Sequence, residues 1–398
     1  NVLISIISMP LLIQSIGVDQ FGLVNLALSV IILLNILVGF GYNLSAPREV
    51  AVNQQNKEAL SHLVSNVFSG KAMLAAIATL LILIGAFGLN LFQEYQLILV
   101  FSSLLLFSEA TLPLWFFQGM EKMKLVSIAN IFSKLLFLMG IVLFIHSPEQ
   151  SQWVNFMLGF FGLSINLMLL FYIHAFMGIK FYRPEFSAIY RSLKENILLF
   201  FSNLASHISI NGGLIILSFF SAAETLGMYS LAERVVMVLR LFPALIIQAI
   251  FPNASKLLKE DRPAFFRFLK NVYLRVLLAG MLISAGAHFT APWIIRVLSR
   301  SDLAESVLYL KILAAVPFLA CLNVGNVTLL LVADLKELLF KASWMMCLYM
   351  IVVSAILTSY LGGLGLCIGI ISTEIIVFLI CLVLLYRHKK DLVRGFYT

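Results

Sequence analysis

The sequence predicts an all-α membrane protein of twelve transmembrane helices, arranged as two homologous six-helix bundles. Composition, a repeated stretch and the spacing of apolar runs predict it. Hydrophobic residues make up 61% of the 398 and charged residues only 12%, and a water-soluble domain cannot hide that much apolar surface. The repeated stretch begins at Asp19-Gln20-Phe21-Gly22, continues through Leu26-Ala27 and ends near Pro47. Its second copy begins at Glu224-Thr225-Leu226-Gly227, continues through Leu231-Ala232 and ends near Pro252. Each copy has its proline 25 residues past the glycine, and one offset of 205 relates them. A long motif recurring once per half reads as an internal duplication.

A span needs about 20 apolar residues. By that rule the first half holds spans near 1–16, 21–43, 71–92, 97–117, 125–145 and 153–178. The second half holds 197–219, 227–251, 272–298, 307–333, 344–361 and 364–386. The first span is short: Asn1 is already inside an apolar run, and its counterpart in the repeat starts near Ile197. About ten residues of that span and a short leader are therefore expected before Asn1, assuming equal repeats. The longer connections are 44–70, 179–196 and 252–271, and the middle one, with Tyr182-Arg183-Pro184-Glu185, joins the halves. The expected domains are thus 1–178, a linker at 179–196, and 197–398 ending in a short basic tail.

Charge sets the orientation. Segments 44–71, 118–124, 180–194, 253–275, 334–343 and the tail from Arg387 hold 21 of the 27 basic residues. The opposite loops hold only Arg296 and Arg300, so the first set and both termini are expected on the cytoplasmic side. The net charge of +8 is spread over these short loops rather than clustered, which excludes a nucleic-acid partner. Cys321, Cys347, Cys367 and Cys381 lie in apolar segments without metal-ligand spacing and read as packing residues. Neither a phosphate-binding G-x-x-x-x-G-K-[ST] loop nor a nucleophile or metal constellation is present, so no enzyme, cofactor or metal is expected.

Three motifs carry a family likeness. The first is Met9-Pro10-Leu11-Leu12 with Ile16-Gly17-Val18-Asp19-Gln20-Phe21-Gly22-Leu23; the second runs from Phe40-Gly41-Tyr42-Asn43 through Pro47-Arg48-Glu49 to Ala51. The third, Pro113-Leu114-Trp115-Phe116-Phe117-Gln118-Gly119-Met120-Glu121-Lys122-Met123-Lys124, is the most specific. Together they resemble the Wzx-type O-antigen flippases of the multidrug/oligosaccharidyl-lipid/polysaccharide exporter superfamily. The resemblance implies two six-helix bundles around a central cavity in a bacterial cytoplasmic membrane. It implies flipping of an undecaprenyl-diphosphate-linked oligosaccharide to the outer leaflet by alternating access, without nucleotide hydrolysis. Membrane lipids are implied partners and a polysaccharide polymerase a candidate one. The chain departs from the family at Gly39, where many relatives carry an acidic residue.

Polar residues inside the spans are the candidate site, because a charge at a helix centre costs about 2.5–3.5 kcal/mol or more. Lys134 and Asn130 share a stripe of the fifth span with Ser127, either facing a wet cavity or neutralised by a neighbouring carboxylate. Glu233, Arg234 and Arg240 lie on the eighth span, with Glu233 and Arg240 nearly eclipsed. Their counterparts at the 205 offset, Leu28, Ser29 and Asn35, are uncharged, which argues against a shared architectural role and favours ligand binding over a private salt bridge between Glu233 and Arg240. Lys311 either joins them or reaches for the interface.

A diphosphate substrate would explain such cations, arginine binding phosphate through paired donors and lysine as a point charge. Lys134 and Arg240, one from each half, could then hold one phosphate group between them. Asn203, His207 and Asn211 with Ser206 form a stripe suited to sugar hydroxyls or to polar contacts between helices. Glu109, Glu374 and Glu233 are ion-coupling candidates, with pairing to an intramembrane cation as the alternative. His207 and His288 could titrate or simply pack, and Gly365-x-x-x-Gly369 predicts a close helix contact. The rivals are a drug or lipid II exporter of the same superfamily, a major-facilitator carrier and a non-transporting scaffold. The basic G-x-x-x-D-R-x-G-R-R loop of the major facilitators is absent, and Ser45-Ala46-Pro47-Arg48-Glu49-Val50 stands in its place.

Overall fold

The computed structural model describes residues 2–89 and 93–397; the predicted span ends at 1 and 90–92, and the tail residue 398, lie outside the described residues. Among the described residues every regular element is helical. The chain divides into two compact units, residues 1–207 and 208–398, and each is described by itself.

Unit 1 opens with α1 (Val2–Gly39), which Gly17 (φ 80°, ψ 167°) breaks between the first and second predicted spans. That backbone region is essentially open to glycine alone. A second break at Phe40 and Gly41, both at positive φ, leads into α2 (Tyr42–Val52). Pro47 was expected to end this helix but sits inside it; proline removes one hydrogen bond, which packed neighbours can make good. Then α3 (Lys57–Leu83) starts at Asn56, whose side-chain oxygen accepts the Ala59 N–H at 3.0 Å. Most of the predicted 44–70 loop is therefore helix. It buries Leu60, Val64 and Val67 while Lys57 and Glu58 face outward, so a count of apolar residues misses it.

The next predicted span is three short pieces: α4 (Gln96–Ser102), α5 (Leu104–Thr111) and α6 (Leu114–Gly119). Leu112 is extended because Pro113 follows it. Long helices α7 (Met123–Phe144), α8 (Gln152–Met177) and α9 (Phe186–Asn211) complete the series. Two of the family-like motifs make one core. Tyr42, Ala46 and Val50 of α2 pack on Trp115, Phe116 and Phe117 of the α6 segment. A Cβ on Gly119 would sit 2.5 Å from Pro47 O and Val50 Cβ, so only glycine permits this approach. Polar contacts hold α8 in place: Asn155 donates to Val24 O and Ser102 Oγ, and Asn166 to Ser108 O. The predicted linker is laced onto α3, Lys180 and Tyr182 donating their N–H groups to Ser61 and Ser65.

Unit 2 begins within α9 and continues with α10 (Gly213–Ser218), α11 (Ala223–Leu239) and α12 (Leu241–Glu260). Then come α13 (Arg262–Ser299), α14 (Ala304–Leu313), α15 (Val316–Leu322) and α16 (Val324–Val332). It closes with α17 (Lys336–Leu361), α18 (Gly363–His388) and a short α19 (Lys390–Tyr397). Again a predicted loop, 252–271, is nearly all helix: Pro252 lies inside α12 and α13 starts one residue after Asp261. Asp261 caps α13 by accepting from Ala264 N–H, and both residues stand 205 positions after Asn56 and Ala59. The repeat thus extends to helix caps. Gly365 and Gly369 seat α18 against α17, added Cβ atoms coming within 2.0 Å of Leu357 O and 2.6 Å of Ser354 Oγ.

Among the described residues, ten helical segments are long and apolar enough to cross a membrane, the first being Ile7–Val52 with its break at Gly17. The chain is a multi-pass membrane protein. Helix α9 falls short of that standard because Asn203, Ser206, His207, Ser209 and Asn211 interrupt its apolar run.

Candidate functional site

A charge in a bilayer needs a counter-charge or water, and among the described residues each unit holds a membrane-embedded ion pair. In unit 1, Lys71 of α3 is fully buried, and its ammonium has no hydrogen-bond partner. Its counter-charge is Glu109 of α5, Oε1 lying 3.6 Å away, an ion pair longer than a hydrogen bond. The sequence reading missed Lys71 by placing it at the end of a loop. It lies fourteen residues past the start of α3, about 21 Å along the helix at 1.5 Å per residue. At the cap-anchored offset its counterpart in unit 2 is Val276, buried and apolar, so this pair is private to unit 1.

Glu109 is less enclosed than its partner, with side-chain exposures of 23% against 1%. It faces a cleft of about 230 Å³ lined also by Asn35, Gly39, Gly41, Asn43, Asn203 and His207. Three predicted residues (Glu109, Asn203, His207) therefore meet, and Asn35 and Asn43 join them unforeseen. Their signal was two amides eight residues apart on the second predicted span, and the side-chain oxygen Oδ1 of Asn35 is buried without a hydrogen-bond partner. Gly39 and Gly41 leave room here: side chains at these positions would approach Asn43 and Asn196. Amides, an imidazole and one carboxylate offer both donors and acceptors, a set suited to hydroxyl groups.

In unit 2 the pair is Arg240 with Glu374, Nη2 to Oε1, on α18. Arg240 stands at the break between α11 and α12. The sequence reading offered Glu233 as the partner Arg240 would have if it were structural; the structure pairs it with Glu374. Glu233 instead accepts the Tyr229 hydroxyl at 3.3 Å. Glu233 and Arg240 do share a face, both lining a small cavity of about 30 Å³ with Tyr229, Ser209 and Ile370. The Arg240 side chain keeps 25% of its surface exposed while Glu374 keeps 7%, so the guanidinium is the accessible end of the pair.

Arg234 lies close enough to Glu233 for the two charges to interact, and the other predicted residues do not line these two cavities. Lys134 and Asn130 are half-buried on α7, and Ser127 is exposed. Arg234 and Asn211 are half-buried in unit 2. Lys311 is half-buried near the end of α14, where its carbonyl lies 3.0 Å from His288 Nδ1. That contact gives the exposed His288 a backbone hydrogen-bond partner. All four cysteines are free and buried, and the described residues contain no group of His, Cys, Asp and Glu able to hold a metal.

Known proteins match this chain along its length. It is 27% identical over 387 residues to the "Putative O-antigen transporter" of Shigella dysenteriae, covering 96% of each chain. The "Putative O-antigen transporter" of Escherichia coli strain K12 is 22% identical over 390 residues, covering 98% of this chain and 94% of that one. Among solved structures, the lipid II flippase MurJ in an inward closed conformation superposes with a TM-score of 0.73 at 16% identity, covering 100% of this chain and 88% of MurJ. An inward-facing multidrug-resistance MATE family transporter of the MOP superfamily gives 0.66 at 12%, covering 100% of this chain and 99% of that one. At these identities the structures speak for the fold. The family model described as "Polysaccharide biosynthesis protein" matches residues 1–258, more than half of the chain, and so, as the motifs implied, this protein belongs to the polysaccharide biosynthesis protein family.

Proposed function

We propose that the chain flips an undecaprenyl-diphosphate-linked oligosaccharide from the cytoplasmic to the outer leaflet of a bacterial inner membrane, supplying O-antigen, capsule or exopolysaccharide synthesis. The family and its transporter relatives make it a membrane transporter and not an enzyme. The observation that carries the finer reading is the near full-length match to two proteins named as O-antigen transporters. Twelve spans are the count we adopt, taking α1 as two across Gly17 and α9 with α10 as one. The basic segments keep their bias without Lys71, which supports cytoplasmic termini.

The buried pairs supply the mechanism of an alternating-access cycle. The diphosphate competes with Glu374 for the exposed guanidinium of Arg240, which has donors for two oxygens. Glu374, left in an apolar wall without its counter-charge, is a costly bare carboxylate, and release of the diphosphate returns Arg240 to it. Arg234 and Lys311, in the same unit as Arg240, add positive potential, and the amides of the unit 1 cleft beside Glu109 suit hydroxyl groups.

Deletion of the gene and complementation test this. Wild type restores surface polysaccharide, Arg240→Lys restores part of it, and Arg240→Gln/Glu374→Gln, which leaves no buried charge unpaired, restores none at equal membrane abundance. A drug or lipid II exporter would share the fold. Unchanged surface polysaccharide in the deletion strain, with lost drug tolerance or arrested cell-wall synthesis, would support that reading instead.

A further inference from the structure

The basic tail forms a shaped groove that the transport reading leaves unused. Helix α18 loses its apolar character at Tyr386, Arg387 and His388, and the chain turns at Lys389 into α19. Leu392, Val393 and Phe396 of α19 are buried in the core of unit 2. Phe396 packs at 5.2 Å against Tyr273 and covers Gly325, where an added Cβ would lie 2.6 Å from the ring. Gly395 lies as closely on Phe266. This helix is fixed to the body of unit 2 by its apolar face.

Between α18 and α19 runs a groove of about 500 Å³ lined by Leu382, Val383, Tyr386, Arg387 and Val393. One wall is aliphatic and the rim is cationic. Arg387 lines it, and the Lys390 ammonium lies 5.2 Å from the centre of the Tyr386 ring. His388, Lys389 and Arg394 are exposed close by in sequence, against one acid, Asp391. Aliphatic surface that ends in an aromatic and several cations matches the passage from acyl chain to headgroup.

We propose that this groove binds one anionic phospholipid of the leaflet that the basic loops face. Its acyl chain lies along Leu382, Val383 and Val393, and its phosphodiester sits between Arg387 and Lys390. The occupant is a lipid rather than a free anion, because most of the lining is apolar and would gain nothing from inorganic phosphate. The site is independent of what the protein transports.

The full-length protein, reconstituted in nanodiscs of phosphatidylglycerol and phosphatidylethanolamine and then extracted into mild detergent, is examined by native mass spectrometry. Wild type retains one phosphatidylglycerol. With about 1 kcal/mol per cation near a charged surface, the Arg387→Gln/Lys390→Gln variant binds on the order of thirtyfold more weakly. Val383→Trp, at an exposed position, fills the groove and displaces the lipid with every cation kept. Equal retention of phosphatidylcholine from matched nanodiscs would overturn the proposal, as would displacement by inorganic phosphate or unaltered retention in both variants. Preferential retention of undecaprenyl diphosphate over phosphatidylglycerol would overturn it too, by making the groove a substrate site.

Discussion

Arg240 and Glu374 hold each other in place, so removing one injures the other. Arg240→Ala strands a carboxylate with 7% exposure, and breaking a buried pair costs about 3–5 kcal/mol. Melting in detergent should fall sharply for Arg240→Ala and recover in Arg240→Gln/Glu374→Gln, where no charge is left unpaired. Surface polysaccharide should stay absent in the double variant if Arg240 also holds the diphosphate; its return would reduce the pair to a structural role. The unit 1 pair predicts an asymmetry. Glu109→Gln leaves a fully enclosed lysine without a counter-charge, whereas Lys71→Met leaves a carboxylate that still faces the cleft. Glu109→Gln should therefore melt at the lower temperature, and the reverse order would refute the burial argument. The sequence identified Glu109, Glu374 and Arg240 as candidates because an intramembrane charge is expensive wherever it occurs. It did not identify which of them pair, because the partners lie on different helices. Lys71 was hidden because an apolar-run rule begins the span beside it, although the helix begins at Lys57.

Helices α2 and α6 show what one glycine does for an element. Gly119 lets them touch, so Gly119→Val should cost about 1–3 kcal/mol by overpacking; a thermal midpoint unchanged from wild type would contradict the contact. Asn56→Ala and Asp261→Ala should each cost about 0.5–2 kcal/mol. Faster amide exchange confined to the first turns of α3 and α13 checks both, and the matched losses would follow from the caps' shared place in the repeat. Apolar centres of the spans were legible from composition, as was the glycine contact at Gly365 and Gly369. The reach of helices past the bilayer was not. Segments 44–70 and 252–271 read as loops because their helices are amphipathic, burying residues such as Leu60 and Phe265 while showing charge outward. Proline misled the reading in the same way, since Pro47 and Pro252 sit within helices that continue beyond them.

For the whole molecule, the 205-residue repeat was legible because its punctuation is local: a glycine, a Leu-Ala pair, a proline and, in the structure, a helix cap. The copies differ at their buried charges: Lys71 corresponds in the repeat to the buried Val276, and Arg240 to Asn35. Family membership and the transporter relatives make the protein a membrane transporter, and the proposed cycle has Arg240 receive the diphosphate in place of Glu374. The most direct test uses vesicles with a fluorescent undecaprenyl-diphosphate oligosaccharide in both leaflets and a membrane-impermeant glycosidase outside. Vesicles containing the wild-type protein should expose the inner-leaflet pool to cleavage under a proton gradient, while empty vesicles and those with Arg240→Ala should keep it protected. An inner pool that stays protected with the folded wild-type protein under either polarity of the gradient would contradict the account.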